Sequence, residues 1–261
     1  MARRTLAASR VAITGASSGI GRALAEALAA ERARLVLNAR REEKLRELAD
    51  RLAAAGCQVE LVLGDVTDPA VRQSIIDRAH SAFGGLDVLV NNAGIGALGR
   101  FDEADSERLR QIMEVNFFAL VELTRLALPL LKAGRQPLVV NVASILGQRG
   151  IPLSSEYCAS KFAVRGFSES IRAELTKNGV DVLVVSPGTT ETEFFSSVIE
   201  RRGPVPWAER RGQSPEAVAR RTVRAMRHGR HEIIPNLQGR ILCWLNRAAP
   251  RLVDAIMARL T

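Results

Sequence analysis

The sequence predicts an α/β fold, a doubly wound sheet of about seven mainly parallel strands with helices on both faces. Two observations carry this. Short, near-continuous apolar runs alternate with amphipathic stretches of helical period from end to end, the pattern of parallel strands covered on both sides. No linker, repeat or low-complexity segment interrupts the alternation, so residues 1–261 read as one domain.

The elements follow in order. The first apolar run, Val11–Thr14, ends in a glycine-rich turn and passes into helical periodicity over 20–31. Leu35–Asn38 precedes a helix at 42–55, and Val59–Leu63 precedes one at 69–82. Asp87–Asn91 leads to a long helical stretch at 105–132, and Leu138–Val142 to another at 157–177. Asp181–Val185 is followed by a variable stretch, 193–212, then by a helix at 215–228 and a last run, Glu232–Pro235.

The first turn reads Thr14-Gly15-Ala16-Ser17-Ser18-Gly19-Ile20-Gly21. Glycines between a strand and a helix allow a tight turn and close backbone approach, so the helix start can present N–H groups and positive dipole to a diphosphate. The glycines alone are equally consistent with a plain strand-to-helix turn; the flanking elements favour a dinucleotide. The second strand should then read the adenosine ribose, where an acid would bond the 2′-hydroxyl of NAD. This chain has Asn38-Ala39-Arg40-Arg41 there. A guanidinium grips a 2′-phosphate in a bidentate way. Cations at a helix start oppose its dipole, which counts against a purely solvating role. NADP is therefore expected over NAD.

Tyr157 is the only tyrosine in the chain, and Lys161 is one of four lysines. At i and i+4 on a helix the two share a face. An ammonium beside a phenol favours the phenolate, so the expectation is a phenol pKa lowered towards working pH, suited to giving a proton to a carbonyl oxygen that receives a hydride.

Together with Asp65-Val66, Asn91-Asn92-Ala93-Gly94, Asn116, Ser144 and Pro187-Gly188, these motifs resemble the short-chain dehydrogenase/reductase family of Rossmann-type, single-domain enzymes. The resemblance runs in order over nearly the whole chain. It implies that Gly15, Ser17, Ser18, Gly19, Ile20 and Gly21 form the diphosphate and ribose cradle, and that Arg40, with Arg41, meets the 2′-phosphate. Asp65 and Val66 would contact adenine, Asn92, Ala93 and Gly94 would pass beneath the cofactor, and Pro187, Gly188, Thr190 and Thr192 would hold the nicotinamide end. In the family's mechanism Ser144 binds the substrate oxygen, Tyr157 is the acid or base, Lys161 bonds the nicotinamide ribose and lowers the phenol pKa, and Asn116 holds a relay water. Two departures stand out: many NADP-dependent relatives carry a basic residue where Ser18 stands, and others a valine where Thr190 stands. The implied activity is NADP(H)-dependent interconversion of a ketone or aldehyde and an alcohol. A non-catalytic, cofactor-sensing regulator on the same fold is the alternative, and the intact Asn116, Ser144, Tyr157 and Lys161 set favours the enzyme.

Composition bounds the remaining classes. The apolar fraction is 47% and the charged fraction 25%, which excludes a disordered or fibrous chain. No apolar run approaches the length of a membrane-spanning helix or a secretory signal, and the three cysteines, Cys57, Cys158 and Cys243, are widely spaced. A cytoplasmic protein with reduced thiols and no metal cluster is expected. Residues 1–200 hold 24 basic and 24 acidic side chains, so the whole net charge of +9 lies in residues 201–261, with 13 basic and 4 acidic. Those residues lack interleaved aromatics, so nucleic acid is not the expected partner.

Phe194, Phe195, Val198, Ile199, Val205 and Trp207 make the 193–212 stretch a substrate lid suited to a lipophilic carbonyl, or one that simply seals the core. In 237–260, a helical wheel gathers Arg240, Arg247 and Arg251 with Asp254, opposite Leu242, Leu245, Ala249, Leu252, Val253, Ile256 and Leu260, with Trp244 near the polar side. Pro250 should kink or divide this amphipathic segment. Its apolar stripe packs on the chain's own body or on a second subunit of a homo-oligomer, or it lies on an anionic membrane surface.

Overall fold

The computed structural model describes residues 4–194, 198–200 and 212–260. Its centre is a seven-stranded sheet: β1 (Arg10–Thr14), β2 (Arg34–Ala39), β3 (Val59–Leu63), β4 (Val88–Asn91), β5 (Leu138–Val142), β6 (Asp181–Val185) and β7 (Glu232–Ile233). The order is β3-β2-β1-β4-β5-β6-β7 and every pairing is parallel. This is a Rossmann-type sheet. Strand order reverses between β1 and β4, which opens a crevice at the carboxyl ends of the strands.

Side chains alternate across the sheet. Val11 and Ile13 of β1 join Leu35 and Leu37 of β2 in a core under α1 (Gly19–Ala30), α2 (Glu42–Ala54) and α7 (Pro215–Arg227). Ala12, Val36, Leu89 and Val139 face the other way, onto α3 (Pro69–Phe83) and α5 (Ala119–Lys132). Local chemistry fixes the ends. Asp68 caps α3 by accepting from the Ala70 N–H, Pro69 stands at its first turn, and Gly84 closes it in the left-handed region, as capping preferences require.

Two expectations are corrected. The helical stretch at 105–132 is not continuous: α4 (Ser106–Met113) and α5 are separated by a π-helical turn at Glu114–Phe118, an irregularity frequent at functional sites and invisible to a 3.6-residue period. The last strand covers only two of the four residues expected. α6 (Ser155–Leu175) begins just before Tyr157.

Pro250 does divide the C-terminal segment, into α8 (Leu237–Ala248) and α9 (Pro250–Met257). The apolar stripe, however, is split between two faces. Cys243 and Val253 are buried, and Leu242 and Met257 are half-buried, whereas Leu237, Ile241, Trp244, Leu252 and Ile256 are exposed. The expected stripe therefore lost Leu252 and Ile256 to the outside, and Trp244 sits with Leu237 and Ile241 on one outward face. Among the described residues no helix is long and apolar enough to cross a membrane.

Candidate active site

The carboxyl ends of the strands surround a cavity of about 750 Å³. Its first wall is backbone. Gly15 has φ +66°, and a Cβ there would lie 2.9 Å from the Ala93 Cα, so only glycine lets the first turn approach the loop after β4. Gly21 does not line the cavity; a Cβ on it would lie 2.2 Å from the Gly15 carbonyl oxygen, and its function is close packing of α1 on the turn. Ser17, Ser18, Gly19 and Ile20 line the cavity where α1 begins, and α1 has neither a side-chain cap nor an acid in its first turn. Its first N–H groups and positive dipole end are thus directed at the cavity, which suits a diphosphate. Asn92 holds the opposite loop: its Nδ2 donates to the Thr14 carbonyl at 2.9 Å, while its own N–H donates to Thr14 Oγ1 at 3.0 Å.

Arg40, Arg41, Asp65 and Val66 line the adenosine end of the same cavity. Asp65 accepts from the Thr67 N–H and hydroxyl at 2.9 Å each, and its second oxygen lies 3.4 Å from Arg40 Nη1. Arg41 is more firmly held. It donates to Ser17 Oγ at 3.3 and 3.2 Å and to Glu193 at 2.5 Å, and Lys44 reaches the other oxygen of Glu193 at 2.5 Å. Arg41 and Lys44 thus share one carboxylate, Glu193, a pairing that no local pattern announces.

At the other end Ser144, Tyr157 and Lys161 come together, with Pro187, Gly188, Thr190 and Thr192 on the same wall. Ser144 stands just past β5, accepts from the Leu146 N–H at 3.1 Å and hydrogen-bonds the Tyr157 phenol. Lys161 Nζ lies 5.6 Å from the centre of the Tyr157 ring and donates to the Val142 carbonyl at 3.1 Å. Here the expected pKa direction is overturned. The phenol edges the cavity, but the cavity is deep; burial pushes its pKa up, against the smaller, lowering effect of Ser144. Burial likewise lowers Lys161, to about 8. For the phenol desolvation outweighs the Ser144 hydrogen bond, so it stays protonated at neutral pH.

Asn116 lies behind this end of the cavity. It is 1% exposed and does not line the cavity. Its Oδ1 accepts from the Ile95 N–H at 2.8 Å, and its Nδ2 donates to the Ile95 carbonyl and Ser160 Oγ, each at 2.9 Å. Through these three bonds the side chain clips the 93–96 loop onto α6.

A glycine-lined crevice ending in a serine, a tyrosine and a lysine decides the family. The short chain dehydrogenase family matches residues 9–203. This chain is a short-chain dehydrogenase. It is 34% identical over 259 residues to the Bos taurus protein "Dehydrogenase/reductase SDR family member 7B", covering 95% of this chain and 80% of that one. Among solved structures it is similar to a short chain dehydrogenase/reductase from Burkholderia phymatum in complex with NAD, with a TM-score of 0.87, 27% identity and coverage of 95% of this chain and 96% of that one. A short chain dehydrogenase from Burkholderia cenocepacia J2315 in complex with NADP gives 0.79, 27%, 88% and 97%. The protein is therefore an oxidoreductase of the kind that interconverts CH–OH and C=O with a nicotinamide cofactor.

The dehydrogenase has features that sequence reading missed. Arg108, on α4, is buried and donates to Glu156, the residue before Tyr157, at 3.0 and 2.6 Å, and to Glu200 at 3.0 Å. Although burial works against the charges, these hydrogen bonds hold Arg108 above and Glu156 below their ordinary pKa values. The segment before Arg201 is tied down as well: the Ile199 N–H donates to the Gly96 carbonyl and the Leu98 N–H to the Glu200 carbonyl, each at 2.9 Å. Among the described lid residues Phe194 lines the cavity, its ring 5.4 Å from that of Tyr157, and Val198 is half-buried. Ile199 is exposed, and Phe195, Val205 and Trp207 lie outside the described residues. Leu242 and Met257, from α8 and α9, complete the apolar wall, a contribution the wheel did not assign.

Proposed function

We propose that this short-chain dehydrogenase is an NADP(H)-dependent reductase of lipophilic ketones or aldehydes, reversible as an alcohol dehydrogenase. The observation that carries the reading is the convergence of Ser144, Tyr157 and Lys161 in one cavity whose lining also includes Arg40 and Arg41. Gly15, Ser17 to Ile20 and Asn92 to Gly94 hold the dinucleotide, Arg40 and Arg41 its 2′-phosphate, Asp65 and Val66 the adenine, and Pro187, Gly188, Thr190 and Thr192 the nicotinamide amide. The cofactor supplies the hydride. Ser144 orients the substrate oxygen, the protonated Tyr157 phenol gives it a proton, and the Lys161 ammonium stabilises the phenolate left behind. Leu98, Ile145, Ile151, Phe194, Leu242 and Met257 line the same cavity, which suits an apolar carbonyl compound. The chain works as one unit, since both of its ends contribute to this cavity. A panel of ketones and alcohols assayed with NADPH and NADH side by side tests the reading: reduction of bulky apolar ketones with NADPH is expected, and equal use of NADH overturns the cofactor choice. Arg40→Asp should reverse the preference.

Two surfaces support further parts of the reading. Leu109, Phe118, Leu126 and Phe162 are exposed from α4 to α6, and Phe101 just before α4, apolar surface that fits a second copy of the chain; sedimentation velocity of wild type and Phe118→Glu checks it, a monomeric wild type overturning it. On α8, Leu237, Ile241 and Trp244 form one outward stripe flanked by Arg240 and Arg247, with exposed Leu252, Ile256 and Arg251 on α9. An apolar stripe beside arginines complements an anionic bilayer surface, and the inner sides of the same helices wall the cavity. Pelleting with anionic but not neutral liposomes, abolished by Ile241→Ser with Trp244→Ser, is the expected result. No anionic-selective pelleting removes the membrane contact.

A further inference from the structure

Arg40 and Arg41 stand side by side in the sequence but are engaged differently. Arg40 makes one loose contact, 3.4 Å to Asp65, and its side chain is 66% exposed. Arg41 spends two of its donors on Ser17 Oγ and a third on Glu193 Oε2 at 2.5 Å, while Lys44 Nζ closes on Glu193 Oε1 at 2.5 Å. Glu193 is 152 residues from Arg41, just after Thr192 and just before Phe194, both of which line the cavity. Its carboxylate thus bridges Arg41, which lines the crevice where an adenosine 2′-phosphate would arrive, and Lys44, which lies with Glu193 in the adjoining recess beside Ser17. A guanidinium and an ammonium that hold a carboxylate in this way offer the same donors to a phosphate monoester. The two neighbours keep Glu193 ionised, with a pKa lowered to about 2, so it stays in place across the physiological pH range.

We propose that Glu193 is a specificity-determining residue, an internal anion that occupies the Arg41–Lys44 clamp and must yield it to the 2′-phosphate. The inference rests on the NADP(H) reading above. A 2′-phosphorylated cofactor gains the Arg41 donor held by Glu193 only by displacing the carboxylate. A cofactor with a free 2′-hydroxyl carries no charge to compete for the clamp and leaves it closed. Glu193 therefore weakens NADP(H) selectively and compresses the gap between the two cofactors. The pairs are about half exposed, and exposed pairs of this kind contribute modestly, so the expected change is about three- to tenfold in affinity.

The test is titration calorimetry with adenosine 2′,5′-bisphosphate and with 5′-AMP, repeated with NADPH and NADH, on wild type, Glu193→Gln, Arg41→Gln and the double variant. Glu193→Gln should tighten the bisphosphate and NADPH about three- to tenfold and leave 5′-AMP and NADH within twofold. In the Arg41→Gln background the gain should shrink. Unchanged or weaker bisphosphate binding by Glu193→Gln overturns the proposal, and weaker binding would make Glu193 an organiser of the clamp instead. The two readings fail separately. If wild type binds both nucleotides equally but Glu193→Gln favours the bisphosphate, the competitor stands and the native NADP(H) preference falls. If neither protein discriminates, both fall.

Discussion

Lys161 and Arg108 are both withdrawn from water, with 4% and 3% of their surface exposed, yet the chain surrounds them in opposite ways. Arg108 is enclosed by two carboxylates and the Arg100 carbonyl, and its charge is fixed. Lys161 has one backbone carbonyl and the face of a tyrosine, and among the described residues no carboxylate forms an ion pair with it. Burial therefore shifts its pKa down to about 8. A buried ion that is fully satisfied holds parts together; one that is left short of partners is available to a reaction. Both lie close to Tyr157: Arg108 pairs with the preceding residue, Glu156, and Lys161 Nζ is 5.6 Å from the centre of its ring.

The largest effect expected from breaking this contrast is on turnover. Tyr157→Phe removes the proton donor and leaves both cations in place, so reduction should slow by about 10³-fold with nucleotide binding nearly intact. Stopped-flow hydride transfer and a parallel calorimetric titration measure the two separately, and a variant that keeps near wild-type rates would remove Tyr157 from the chemistry.

Next in size is the scaffold cation. Arg108→Met strands Glu156 in the interior, and loss of one partner of a buried pair costs about 3–5 kcal/mol. Urea unfolding should show this as a large fall in midpoint. Arg108→Met with Glu156→Leu should recover much of the loss, because the unpaired charge goes too. No recovery would mean that Arg108 contributes through packing alone.

Lys161 gives the converse. Between pH 8 and the ordinary lysine value near 10.5, the folded chain binds fewer protons than the unfolded one, so stability rises with pH through that window. Its size is at most about 3 kcal/mol. Lys161→Met should therefore be more stable than wild type at pH 7, and the gap should close as pH rises towards 10.5. A gap independent of pH would show that the ammonium is not strained by burial.

The smallest effect is a control. Arg100 pairs with Asp102 at 3.0 Å in full view of solvent. Its removal should leave the melting temperature unchanged within error, since exposed pairs contribute little; a clear drop would undermine the distinction drawn between buried and surface cations.

By itself the sequence determined whatever depends on neighbours a few residues apart. Alternating apolar runs gave all seven strands, because a strand covered on both faces must be apolar throughout. The glycines of 15–21 marked the first turn, since only they tolerate its backbone and packing, and Tyr157 and Lys161 were joined by helical spacing. Tertiary structure decided the rest. Glu193 meets Arg41 from 152 residues away, and Arg108 meets Glu156 and Glu200 from 48 and 92 residues away; no local period encodes such pairs, which form only when the sheet brings separate connections to one edge. The side on which the C-terminal helices bury themselves was likewise set by the body they pack on, which takes Leu242 and Cys243 inward and leaves Ile241 and Trp244 outside. The sign of the Tyr157 shift followed the same rule. Spacing shows which charge is near, but the depth of the cavity, fixed by the whole fold, sets what it costs to separate a charge from water.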